Sequence, residues 1–205
     1  ATRKAIEMAN GKYIFNLDAD DFFLPGKLKA FVAVFEKNLN IVHVGSAAKL
    51  IDGSGGHIST EKIAAEWADK PVDGKALATF FLKKNLLWAG GSTYAARADV
   101  LKPLAIPDNV DMYLDEYLIL GILGQGGSFC FTEPFSIWRV HGNNYSATTE
   151  EQKLRHSRRL LKSSGGVLAA LKKYNCLPAP LIRAYEFKHE TRLIADLEDN
   201  RRKSL

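Results

Sequence analysis

Apolar residues recur along this chain in two rhythms, short unbroken runs and a three-to-four spacing, and the two alternate. Thr2 to Ala9 reads as a helix stopped at Gly11. Tyr13-Ile14-Phe15-Asn16-Leu17 is a β-branched and aromatic run, so it predicts a strand that exits into Asp18-Ala19-Asp20-Asp21 and the turn signal Pro25-Gly26. Lys27 to Asn38 spaces Leu28, Phe31, Val32 and Phe35 as one helical face. Ile41 to Val44 reads as a short buried strand, Asp52 to Gly56 as a turn without phosphate-loop spacing, and Asp73 to Lys84 as a helix. Leu86 to Ala89 then runs into Gly90-Gly91-Ser92 and a strand or turn at Thr93 to Ala95. Ala98 to Leu104 predicts a short helix stopped near Pro107, and Tyr113 to Leu123 a buried one. Phe129 to Phe131 and Phe135 to Val140 predict two strands around Glu133-Pro134. Two helices follow, Glu150 to Tyr174 and Pro180 to Arg202, parted by Pro178 and Pro180. This alternation predicts an α/β layered domain over residues 1–148 and a helical extension over 149–205.

Composition adds bounds rather than identity. With 205 residues, 46% hydrophobic and 25% charged, the chain has the make-up of a soluble globular protein. Cys130 and Cys176 stand alone, without disulfide-framework or zinc spacing, which suits a reducing cytoplasm. No apolar stretch reaches membrane-spanning length, and no secretory signal opens the sequence. The chain opens on Ala1, directly in a helix, so residues preceding it are expected. Charge is uneven: residues 151–205 hold 13 of the 28 Lys and Arg but 6 of the 23 Asp and Glu. Clusters such as Arg155-His156-Ser157-Arg158-Arg159 are either a solvated helix face or a surface for anionic lipid, giving a possible peripheral membrane contact. The tail has no interleaved aromatic platform and no recognised motif, so no nucleic acid partner is expected.

Candidate chemistry collects at element ends. Side chains two apart on a strand share a face, so Asp18 and Asp20 can address one ligand, and their hard oxygens suit Mg2+ or Mn2+ bridging to a phosphate. The same cluster also suits the cap of the following helix. Asp115 and Glu116 open an apolar helix, where a carboxylate can cap the helix or serve as a general base. Arg139 and His141 leave the last strand on one side, a cationic fork for phosphate and a potential metal ligand. Gly90-Gly91-Ser92 is a tight turn whose glycines permit close approach of a ligand or another backbone.

In this order the pieces resemble family 2 of the glycosyltransferases, the GT-A group using nucleotide-sugar donors. Ala9-x-Gly11-x-Tyr13-Ile14 leading to Leu17-Asp18-Ala19-Asp20-Asp21 and Pro25 is similar to the segment before the family's metal-binding aspartates. Gly91-Ser92 resembles its acceptor-side turn, Asp115-Glu116 falls where it keeps a catalytic carboxylate, and Pro134 to Ser146 is similar to its closing pattern. The resemblance covers roughly residues 1–148 and implies a GT-A-like, Rossmann-like mixed sheet flanked by helices, with a Mn2+ or Mg2+ cofactor. It implies Asp20 and His141 on the metal, Asp18 and Arg139 on the donor, Gly91 and Ser92 on the acceptor, and Asp115 as base with Glu116 as fallback. The implied reaction is inverting transfer of a sugar from a nucleotide-diphosphate sugar to a glycan or lipid-linked acceptor in surface polysaccharide synthesis.

The sequence departs from that pattern in two places. Ala1-Thr2-Arg3 stands where family members often read Ala-Arg-Asn, so no donor contact is assigned to Thr2. Nothing corresponds to the family's opening strand and loop that grip the nucleotide base, so the domain is expected to be N-terminally incomplete. That gap favours an alternative of another class, a non-catalytic scaffold or membrane-surface module. Trp67, Trp88 and Tyr113 are candidate sugar-stacking surfaces or core residues.

Overall fold

A computed structural model describes residues 2–84, 91–112, 114–140, 150–174 and 177–203, without the side chains of 150–155 and 195–203. In chain order the elements are α1 (Thr2–Met8), β1 (Tyr13–Phe15), β2 (Phe22–Phe23), α2 (Lys27–Lys37), β3 (Ile41–Asp52), β4 (His57–Thr60), β5 (Pro71–Val72) and α3 (Gly74–Lys84). Then come β6 (Tyr94–Arg97), α4 (Ala98–Leu101), α5 (Leu114–Leu123), β7 (Gly127–Val140), α6 (Glu150–Tyr174) and α7 (Ala179–Lys203). The strands form one mixed sheet of order β1-β6-β3-β7-β2, with β4 on β3 and β5 on β7. Among the described strands β3 and β7 pair in parallel and the other pairs are antiparallel.

Two elements run longer than the sequence predicted. β3 continues eight residues past Val44 through Gly45, Ser46, Ala47 and Ala48, which have little intrinsic strand preference. It does so because β6 and β7 hold it from both edges: Gly45 stands beside both Tyr94 and Cys130. The two strands expected around Glu133-Pro134 are one strand, β7, interrupted by a bulge. Ser46 pairs Phe131 while Ala47 pairs Pro134, leaving Thr132 and Glu133 outside the ladder. Asp69, in the left-handed region at φ 54, secures the bulge by accepting the Thr132 N–H (3.1 Å) and hydroxyl (2.5 Å).

Helices cover both faces. On one, α2 presses Phe31 and Phe35, both 0% exposed, onto Ile41, Val44, Ala95 and Phe135. Its buried stripe is Lys27, Phe31 and Phe35; Leu28, expected on that face, is exposed. The end of α2 is tied by Arg97, which donates to the carbonyls of Phe35 (2.6 Å), Asn38 (3.3 Å) and Ile41 (2.7 Å). On the other face, α3, α5, α6 and α7 share one core, in which Tyr117, Ile119, Leu171 and Tyr185 are fully buried. Helices α6 and α7 thus contribute Val167, Ala170, Leu171, Leu181, Ile182 and Tyr185 to the core that covers the sheet. No described helix is long and apolar enough to cross a membrane.

Gly74, the first residue of α3, lies against the end of α5. A Cβ there would sit 2.0 Å from the Gly126 carbonyl oxygen and 2.4 Å from that of Leu123. Alanine would gain about 0.5–1 kcal/mol of helix propensity, but overpacking against immobile backbone costs about 1–3 kcal/mol. Gly74→Ala is therefore expected to lower stability, read as a lower urea midpoint with unchanged slope.

Candidate active site

A cleft of about 590 Å3 opens where β1 and β7 end and β6 begins, walled by Leu50, Tyr94, Leu114, Leu118, Trp138 and Val140. Its polar groups are Thr2, Asn16, Asp18, Asp20, Asp115, Arg139 and His156. Of the residues singled out from sequence, it brings together Asp18, Asp20, Gly91, Asp115 and Arg139. Ser92 and Glu116 are not on its wall, and His141, Trp88 and Tyr113 lie outside the described residues.

The two aspartates meet for a different reason from strand alternation. β1 ends at Phe15, and residues 18–21 form a tight turn closed by the Asp21 N–H on the Asp18 carbonyl (3.2 Å). Asp18 also receives the Asn16 side-chain amide (3.4 Å). Loss of solvent raises the Asp18 pKa above its ordinary value; Asn16 opposes that rise and the nearby Asp20 charge adds to it. Two carboxylates on one cleft are hard oxygen donors of the kind a divalent cation accepts. Among the described residues no group of three or more His, Cys, Asp or Glu is placed to hold a metal ion.

Asp21 and Ser92 are a buried clamp beneath the cleft. The Ser92 hydroxyl accepts the Asp18 N–H (2.8 Å) and donates to Asp21 (2.6 Å), whose other oxygen accepts the Arg139 N–H (3.1 Å). Ser92 is 1% exposed, so its hydroxyl serves the scaffold, while Gly91 lines the cleft. Below them Lys27, also 1% exposed, donates to the Ser92 carbonyl (2.5 Å) and the Ser136 hydroxyl (2.8 Å), with its amine 4.0 Å from the Phe23 ring centre. Desolvation brings Lys27 down to about 7, and the Asp21 charge opposes that fall. Sequence reading missed the roles of Asp21 and Lys27. The signal for Lys27 was its place four residues before Phe31 on the stripe that also holds Phe35.

Gly91 sits at φ +50, and a Cβ on it would lie 3.1 Å from Asp18 Oδ2 and 4.0 Å from Trp138. A glycine is required both by that backbone angle and by the contact. Its N–H also bonds Asp115, so one residue touches both acidic groups. Asp115 is half-buried, and desolvation raises its pKa; the N–H groups of Glu116 and Gly91 oppose the rise, while the charges of Glu116 and Asp18 add to it. Its neighbour Glu116 turns away and is 8% exposed. There it meets Lys188, Arg192 (3.6 Å) and the Tyr185 hydroxyl (3.5 Å), all on α7. Trp67, a candidate stacking surface, instead packs on Phe80 at 5.2 Å against the core. Arg139 lies with its guanidinium 5.0 Å from the Phe22 ring centre, and Trp138 stands 41% exposed beside it. Thr2 reaches the cleft from α1, which Arg3 anchors through Asp108 (2.7 Å) and the Ile106 carbonyl.

Comparison with known proteins places this cleft in context. Residues 1–101 match the family profile described as Glycosyl transferase family 2. The chain is also 27% identical over 153 residues to an uncharacterized glycosyltransferase of Methanocaldococcus jannaschii, covering 74% of this chain and 50% of that protein. It thus spans about half the length of the relative it matches.

The clamp carries a pH signature. Between about 7 and 10.5 the unfolded chain holds a proton on Lys27 that the folded chain releases, so stability rises with pH through that window. Urea midpoints are expected to climb from pH 7 to pH 9 and to climb less in Lys27→Met.

Proposed function

Residues 1–101 belong to glycosyl transferase family 2, the fold is GT-A-like, and from that premise we propose an inverting, metal-assisted glycosyltransferase. It moves a sugar, of hexose type, from a nucleotide-diphosphate sugar to a hydroxyl of a glycan or lipid-linked acceptor in surface polysaccharide synthesis. The observation that carries this reading is the convergence of Asp18, Asp20, Asp115 and Arg139 on one cleft from three separate parts of the chain.

Each group has a role consistent with its position. Asp115, at the start of α5, accepts the acceptor hydroxyl proton as that oxygen attacks the anomeric carbon opposite the leaving diphosphate. Its raised pKa makes it a stronger base than an exposed aspartate while ionised. Arg139 faces the departing phosphates with a fixed pair of donors. Asp20, with Asp18 beside it, would hold Mn2+ or Mg2+, whose charge offsets that of the diphosphate. Gly91, which a side chain would separate from Asp18, leaves room for the sugar or the acceptor between Asp18 and Asp115. Glu116, neutralised by Lys188 and Arg192, orients the first turn of α5 rather than taking the proton. We place the enzyme in the cytoplasm, where the buried thiol of Cys130 stays reduced.

The test is titration of nucleoside diphosphates with Mn2+ and with chelator, followed by transfer assays on the full-length protein. Manganese-dependent binding is expected in the parent and lost in Asp20→Ala. Asp115→Asn is expected to keep donor affinity while transfer falls by about 10²–10⁴-fold. Full turnover in Asp115→Asn would reject its assignment as base.

A further inference from the structure

The basic tail of the chain contributes to the cleft at one point. His156, on the second turn of α6, lines the same cavity as Asp18, Asp20 and Arg139. It sits in the basic run Arg155-His156-Ser157-Arg158-Arg159. Among the described lining residues, Arg139 and His156 are the basic ones, and the other charged ones are aspartates. An anionic ligand entering this cleft therefore has two places to put its charge, against Arg139 from the end of β7 and against His156 from α6.

We propose that His156 is a donor-binding residue whose ring N–H donates a hydrogen bond to the outer phosphate of a nucleoside diphosphate, the one nearer the transferred sugar. The reason is geometric and electrostatic. Arg139 from β7 and His156 from α6 line the same cavity as Asp18 and Asp20, so a diphosphate drawn to the two aspartates through a divalent cation would have both basic side chains in its cavity. This inference rests on the glycosyltransferase reading and adds a residue to its donor site.

The test compares a nucleoside diphosphate with the matching monophosphate, each titrated with Mn2+ into the parent, His156→Ala and His156→Gln. Expected is a weakening of diphosphate binding of about tenfold in His156→Ala, with a smaller loss in His156→Gln, which retains a donor. Monophosphate binding is expected to be unchanged, a selectivity that loss of packing would not produce. Diphosphate binding equal to the parent in His156→Ala overturns this inference and leaves the glycosyltransferase reading standing. Equal weakening of both nucleotides also overturns it, since the loss then has no connection to the outer phosphate. Absence of binding of either nucleotide to the parent overturns the donor reading itself and this inference with it.

Discussion

The hydroxyl of Ser92 is the joint on which the cleft depends. It is buried, accepts from the Asp18 backbone and donates to Asp21, while the Ser92 carbonyl accepts from Lys27 and from Ser136. Asp21 passes the connection to the backbone of Arg139. Five short contacts thus lock the turn after β1, the turn before β6, the start of α2 and the end of β7 into one register. A buried network of this kind is stable only when every member is satisfied, since one orphaned group costs about 1–3 kcal/mol. The groups above it, Asp18, Gly91, Trp138 and Arg139, inherit their positions from it.

Placing a cation and two carboxylate-bearing turns so close together divides the acidic residues by task. Asp21 is used up inside, with both oxygens engaged by donors. Asp18 and Asp20 stay on the wall of the cleft, where the Asp20 charge adds to the desolvation that raises the Asp18 pKa. The pair Asp115 and Glu116 is divided in the same way by the helical turn, since adjacent helix residues point about 100° apart. Asp115 faces Gly91 and the cleft, and Glu116 faces the cations of α7. Removing Lys188 or Arg192 would leave Glu116 buried with less compensation in the first turn of α5.

Helices α6 and α7 join the site and the core by different ends. Their apolar faces complete the layer over α3 and α5, with Leu171 and Tyr185 fully buried. Their polar residues brace the neighbourhood of the cleft: Ser163 and Arg159 bind Asp111, just before α5, at 2.9 and 3.1 Å, and Lys188 holds Glu116 within it. Stability of this region and geometry of the cleft are therefore coupled through α5.

The sequence by itself determined the α/β alternation, the long helices and the acidic and basic residues that gather at strand ends, because periodicity and turn chemistry are local properties. Glu150–Tyr174 and the turn at Asp52 to Gly56 were legible for that reason. Strand length was not: Gly45 to Ala48 extend β3 only because two neighbours hydrogen-bond it, and β7 crosses Pro134 only because Asp69, more than sixty residues away, holds the bulge. Nor could spacing tell which of three clustered acids would be buried. Asp18 and Asp20 looked like strand neighbours and meet in a turn, Asp21 looked redundant and is the clamp, and His156 looked like part of a solvated face and reaches the cleft. Those outcomes turn on desolvation and on partners distant in the chain, which exist only once the sheet has closed.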